Sequence, residues 1–107
     1  MEYLGASSKL TKILNDKRLL TKNFGQDRAN KIVARLDEIL AASNLTDISH
    51  FPPSRLHGLK GERKNEFAVD VGANWRMVFE AYDEADNQTV DEALARTVLI
   101  VSIEDYH

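Results

Sequence analysis

The sequence predicts an α+β fold, a small antiparallel sheet with an N-terminal α-helical hairpin packed on one face. Apolar residues recur at helical spacing between Ser8 and Ala42, the period changes to two from Phe67 onward, and a loop carrying Pro52 and Pro53 separates the two regimes. The 107 residues, 43% of them hydrophobic, suffice for one core but not two, so a single domain, 1–107, is expected.

A short strand is placed at Glu2 to Leu4. From Ser8 to Phe24 the residues Leu10, Ile13, Leu14, Leu20 and Phe24 keep near-helical spacing, with Ser7 or Ser8 as N-cap and Gly25 as stop, which predicts one amphipathic helix. A second helix is predicted from about Gln26 to Ala42, where Ala29, Ile32, Val33, Leu36, Ile39 and Leu40 line one face before a polar SNLTD cluster. A tight turn makes these two an antiparallel hairpin. The segment through His50, Phe51, Pro52 and Pro53 cannot continue a helix, because proline lacks the amide donor and restricts the residue before it. Phe67, Val69 and Val71 then alternate with Glu66, Ala68 and Asp70, and Trp75 to Tyr82 alternate again beyond a turn at Gly72, Ala73 and Asn74. The β-branched run Thr97 to Glu104 is apolar almost throughout and reads as a central strand covered on both faces.

Composition excludes several functions. There is no cysteine, hence no disulfide, thiolate zinc site or thiol nucleophile, as suits a reducing compartment. No apolar run approaches the roughly 18 residues of a membrane span. The amino terminus shows no apolar secretory core, and a cytoplasmic location is expected. Phosphate-loop, nucleophile-elbow and HExxH spacings are missing, and the GLKG at 58–61 leads into a strand where a KH domain needs a helix. The net charge is -3, yet Lys9 to Arg35 is strongly basic, and five acids crowd the DEADNQTVDE stretch, Asp83 to Glu92. That stretch is expected at the far end of its hairpin, more than a Debye length (about 8 Å at physiological salt) from His107.

Two clusters can carry chemistry. In RLHGLKGERK, His57 and Lys60 stand among Arg55, Arg63 and Lys64, with two glycines that let backbone approach a ligand; the segment reads equally as a basic surface turn or as a phosphate-facing loop. At the other end of the strand region, Asp105, Tyr106 and His107 follow the central strand. Arg76, in NWRMVF, projects opposite Trp75, Met77 and Phe79 if these face the core, and its planar guanidinium can clamp a phosphate. Cleavage of RNA by its own 2'-hydroxyl needs a base, an acid and cations for the added negative charge, and asks for no cofactor or metal. His57 and His107 can serve as acid or base, Asp105 can orient one or act as base, and Tyr106 offers a stacking ring. His50, in the proline loop, is assigned no role.

Together, RLHGLKGERKNEFAVDV, NWRMVF and the final EDYH resemble the HigB-like branch of the RelE/ParE toxin superfamily, over Arg55 to Phe79 and Val98 to His107. The resemblance implies a toxin of a type II toxin-antitoxin module that enters the ribosomal A site and cuts translated mRNA without metal. It also implies a cognate helix-turn-helix antitoxin as partner. His57, Lys60, Arg76, Asp105, Tyr106 and His107 each match a position of the family's motifs, Arg76 the one taken to support the transition state. Asn65 stands where relatives often have glycine, and asparagine tolerates the left-handed turn this would require. Two other readings share the fold: a ParE-type gyrase poison, and a non-catalytic module acting with its antitoxin.

Overall fold

A computed structural model describes residues 1–106. Nine main elements follow in order among them: β1 (Glu2–Gly5), α1 (Ser8–Leu14), α2 (Lys17–Phe24), α3 (Gln26–Ala41), β2 (His57–Gly58), β3 (Phe67–Asp70), β4 (Trp75–Tyr82), β5 (Gln88–Thr89) and β6 (Thr97–Asp105). The sheet runs β1-β6-β4-β3-β2, with β5 on the far part of β4. All pairings are antiparallel except β1 with β6, so the sheet is mixed. The alternation that marks a strand carries no sign for its direction, so the parallel edge has no signature in the sequence.

The single helix expected over Ser8 to Phe24 is two. Asn15 closes α1, and the Asp16 carboxylate caps α2, accepting from the amides of Arg18 at 2.9 Å and Leu19 at 3.3 Å. Both residues favour helix ends over helix interiors, because their side chains compete for backbone hydrogen bonds. The apolar spacing survived the break because Leu14 and Leu20 both reach the core from separate helices. Gly25, at φ 83°, ends α2 and opens α3, and this left-handed residue makes the tight hairpin turn.

The helices cover one face of the sheet. There Leu20, Ile32, Leu36 and Ile39 meet Val69, Met77, Phe79, Val98 and Ile100, all buried in one cluster. Phe67 and Phe79 stack at 5.7 Å between centroids. Strand β6 is central, between β1 and β4, but its two faces differ: Val98 and Ile100 are fully buried against the helices, while Leu99 and Val101 are half-buried on the other side. The register of β4 and β6 shifts between Val78 and Phe79, where β6 carries one extra residue.

The acidic stretch begins where Tyr82 pairs with Thr97, at the opposite end of β4 from the pairing of Trp75 with Asp105. A strand of that length separates the two ends by roughly 23 Å. Farther along, the side chain of Gln88 donates to the Asn65 carbonyl at 3.2 Å, tying the stretch to the base of the loop that follows β2. His107, against which its distance was expected, lies outside the described residues. No helix among the described residues is long and apolar enough to cross a membrane.

Candidate active site

On the face away from the helices, strand pairing lays side chains out in rows. His57, Ala68, Val78 and Ser102 form one row; Asp70, Arg76 and Glu104 form the next. Ala68 and Val78 are fully buried yet stand apart from the main core cluster. The loop after β2 accounts for this. It reverses on itself, with the Leu59 amide bonded to the Glu66 carbonyl at 2.9 Å, and Arg63 reaches over β3 and β4 to Glu104 on β6.

Glu104 is the hub. Its carboxylate accepts from Arg63 at 2.7 and 3.3 Å, from Arg76 at 3.0 and 2.9 Å, and from the Ser102 hydroxyl at 2.7 Å. These charge-assisted bonds, Arg63 first, hold its carboxyl down at about 2 even though burial pushes the other way. The same contacts raise Arg63, which also bonds Glu66 at 2.6 Å.

Tyr106 joins the two sequence clusters. Its hydroxyl accepts from Arg55 at 3.1 Å, and the Arg76 guanidinium lies 5.0 Å from the centre of its ring. Arg55 is held in turn by a two-pronged pair with Asp70, at 2.8 and 2.9 Å, whose hydrogen bonds raise its pKa. The Arg55 backbone is left-handed, φ 47°, a conformation that costs on the order of 1 kcal/mol without glycine. Its carbonyl meets Nδ1 of His57 at 2.7 Å. A carbonyl can only accept, so Nδ1 carries the hydrogen, and in the neutral ring Nε2 carries the lone pair.

Of the residues expected from sequence, Arg55, His57, Arg63, Arg76 and Tyr106 thus belong to one connected network, and Asp105 stands opposite Trp75 at the end of β6. Lys60 and Lys64 are exposed and carry no ion pair among the described residues. His107 lies outside the described residues. Sequence reasoning gave no role to Asp70, Glu104 or Ser102; the alternation of β3 and β4 already put Asp70 and Arg76 on one face, but only the register makes them neighbours of Glu104. His50 is structural, its ring held between the Leu56 carbonyl at 2.8 Å and Glu92 at 3.1 Å. Asn65 does not take up a left-handed backbone; in this region that conformation falls to Arg55 and Gly61. No group of three or more metal-ligating side chains is found among the described residues.

Three helices on one face of a mixed sheet, with a histidine, arginines and a tyrosine gathered on the other, make the RelE/ParE-like fold. Over 100% of both chains it matches the YoeB/ParE toxin from Agrobacterium tumefaciens, at a TM-score of 0.60 and 11% sequence identity. The family described as "RelE-like toxin of type II toxin-antitoxin system HigB" matches residues 8–97, and the chain belongs to this family of HigB-like toxins. No curated protein matches it. The family match ends where β6 begins, so it rests on the helices, the basic loop and β3–β5 and not on the residues that close the network.

Proposed function

We propose that this toxin is a ribosome-dependent mRNA endonuclease that acts in the cytoplasm on translated mRNA in the ribosomal A site and is neutralised by a helix-turn-helix antitoxin. The observation that carries the reading is the network Asp70–Arg55–Tyr106–Arg76, which brings the basic loop and the end of β6 together on the open face of the sheet beside a histidine of defined tautomer. In the reaction the 2'-oxygen of the RNA attacks its own phosphorus, the bond to the 5'-oxygen breaks, and a cyclic phosphate results. Nε2 of neutral His57 has the lone pair a base needs to take the 2'-proton; once protonated it can return that proton to the leaving oxygen. His107 and Asp105 supply the complementary partner. Tyr106 offers its ring to a base.

The pairing on this face refines where phosphate charge is met. Arg63 and Arg76 are balanced by Glu104 and Glu66, and Arg55 by Asp70. The surplus positive charge comes from Lys60 and Lys64, while the paired arginines, fixed in orientation, present their remaining N–H groups at no further cost in side-chain order.

The test maps new mRNA 5' ends in a cell-free translation reaction with the wild type, His57→Ala and His107→Ala, with ribosomes present and absent. Codon-related cuts that require ribosomes and vanish in both variants are expected. Running translation without cuts, with folded protein, overturns the reading, and persistent gyrase–DNA cleavage complexes would then identify a ParE-type poison.

A further inference from the structure

We propose that the cavity between α3 and the tip of the β3–β4 hairpin binds a phosphate group, the one flanking the scissile position on the RNA strand; the second half of this statement rests on the nuclease reading above. The cavity measures about 270 Å³ and is lined by Lys31, Arg35, Asp70, Gly72 and Ala73, beside Pro52 and Pro53.

Arg35 is the reason to expect an anion there. Its side chain is 8% exposed, and it lines the cavity with the little that remains accessible. Nε is buried and makes no hydrogen bond. It stands 3.1 Å from Oε1 of Glu38, so the charges attract, but the alignment is wrong for a bond, and the same oxygen takes the Ser54 hydroxyl at 2.7 Å. Nor do the other guanidinium nitrogens make a hydrogen bond to any described residue. A guanidinium has five N–H donors in a planar fork; here the Nε–H is buried without an acceptor, which is costly, and the other donors lack an acceptor among the described residues. The acceptor that satisfies such a fork is a planar or tetrahedral oxyanion.

The charge balance of the walls favours the same ligand. Asp70 is the acid lining the cavity, and both its oxygens are already held by Arg55. Glu38 offsets Arg35, which leaves Lys31, one helical turn earlier, as surplus positive charge. Arg28 adds another cation near the rim, its Nε within 3.9 Å of the space a side chain at Gly72 would take. Gly72 and Ala73 supply a backbone wall with no bulk, and their amides make no hydrogen bond to described residues. A phosphate is favoured over a partner's carboxylate by position: Asp70 faces the cavity and also anchors the Arg55–Tyr106 pair, so a strand lying on the candidate site runs past the cavity mouth.

The experiment follows the amides of Gly72 and Ala73 and the Arg35 Nε–H by nitrogen–proton NMR. Inorganic phosphate and acetate are titrated separately into the wild type and Lys31→Glu, which reverses the surplus charge at the cavity wall on an exposed side chain. A short RNA is then added to His57→Ala. Saturable phosphate shifts at these three groups, weakened about tenfold by Lys31→Glu and reproduced by the RNA, are expected. No phosphate shift at Arg35, or shifts indifferent to Lys31→Glu, overturns the site. Shifts with acetate alone overturn it in favour of an acidic protein partner. Phosphate shifts without RNA shifts overturn the flanking role. RNA shifts here with no mRNA cuts by the wild type would sink the nuclease reading and leave the cavity a phosphate site.

Discussion

Replacing Glu104 by glutamine removes the charge on which Arg63 and Arg76 converge while keeping the length of the side chain. A carboxyl lowered from 4.5 to about 2 prefers its ionised form in the folded state by about 3 kcal/mol. Glu104 is 26% exposed and Arg63 38%, so water screens part of this, and about 1–2 kcal/mol of folding stability is the working figure. The depressed carboxyl stabilises the fold fully above pH 4.5, and the stabilisation is lost as pH falls from there to about 2. Urea unfolding of wild type and Glu104→Gln at pH 7, 4 and 2.5 measures it. The variant should be less stable by about 1–2 kcal/mol at pH 7, with the gap closing at pH 2.5 because the wild type loses what the variant never had. A gap that stays constant over this range would show that Glu104 is held by shape rather than by charge.

Phe79→Ala should cost about 3–5 kcal/mol by chemical denaturation, since the ring is fully buried and stacked on Phe67. A methyl group at Gly5 would lie 2.6 Å from the Thr11 amide nitrogen, a backbone atom, so Gly5→Ala should lower stability by about 1–3 kcal/mol in the same measurement. Asp16→Ala removes the cap that starts α2 and should cost about 0.5–2 kcal/mol, with helix loss visible by circular dichroism. Tyr106→Phe keeps the ring beside Arg76 and loses the bond to Arg55; mRNA cleavage that survives in it but not in Tyr106→Ala would assign Tyr106 to stacking, and loss in both would assign the hydroxyl a part.

Periodicity made the helical layer and the β3–β4 hairpin legible, because burying one face of an element leaves a record in the spacing of its own residues. Long-range pairing leaves none. Nothing in VLIVS announces that β1 lies parallel beside it, or that an extra residue shifts its register against β4. The site divides the same way. His57, Arg76 and Tyr106 could be read from residue type and motif, whereas Glu104 and Asp70 became visible only when the register set them on either side of Arg76. The break at Asn15–Asp16 is within reach of the sequence, since two residues that favour helix ends stand together inside an apolar repeat; the continuity of the repeat and the basic Lys17 and Arg18, which suit a last turn better than a first, conceal it.

The parallel pairing of β1 with β6 also sets a timetable. During synthesis β1 emerges first, and the strand it pairs with follows every other described strand, Glu2 waiting for Thr97. Until then β1 and β4 have no common neighbour, the sheet is in two pieces, and Val98 and Ile100 are missing from the core. The strand that welds the pieces also carries Glu104 and delivers Tyr106 to Arg55. A growing chain therefore lacks both the joined sheet and the Arg55–Tyr106 contact until its last described strand is in place, so the fold and the network on its open face are completed in one step.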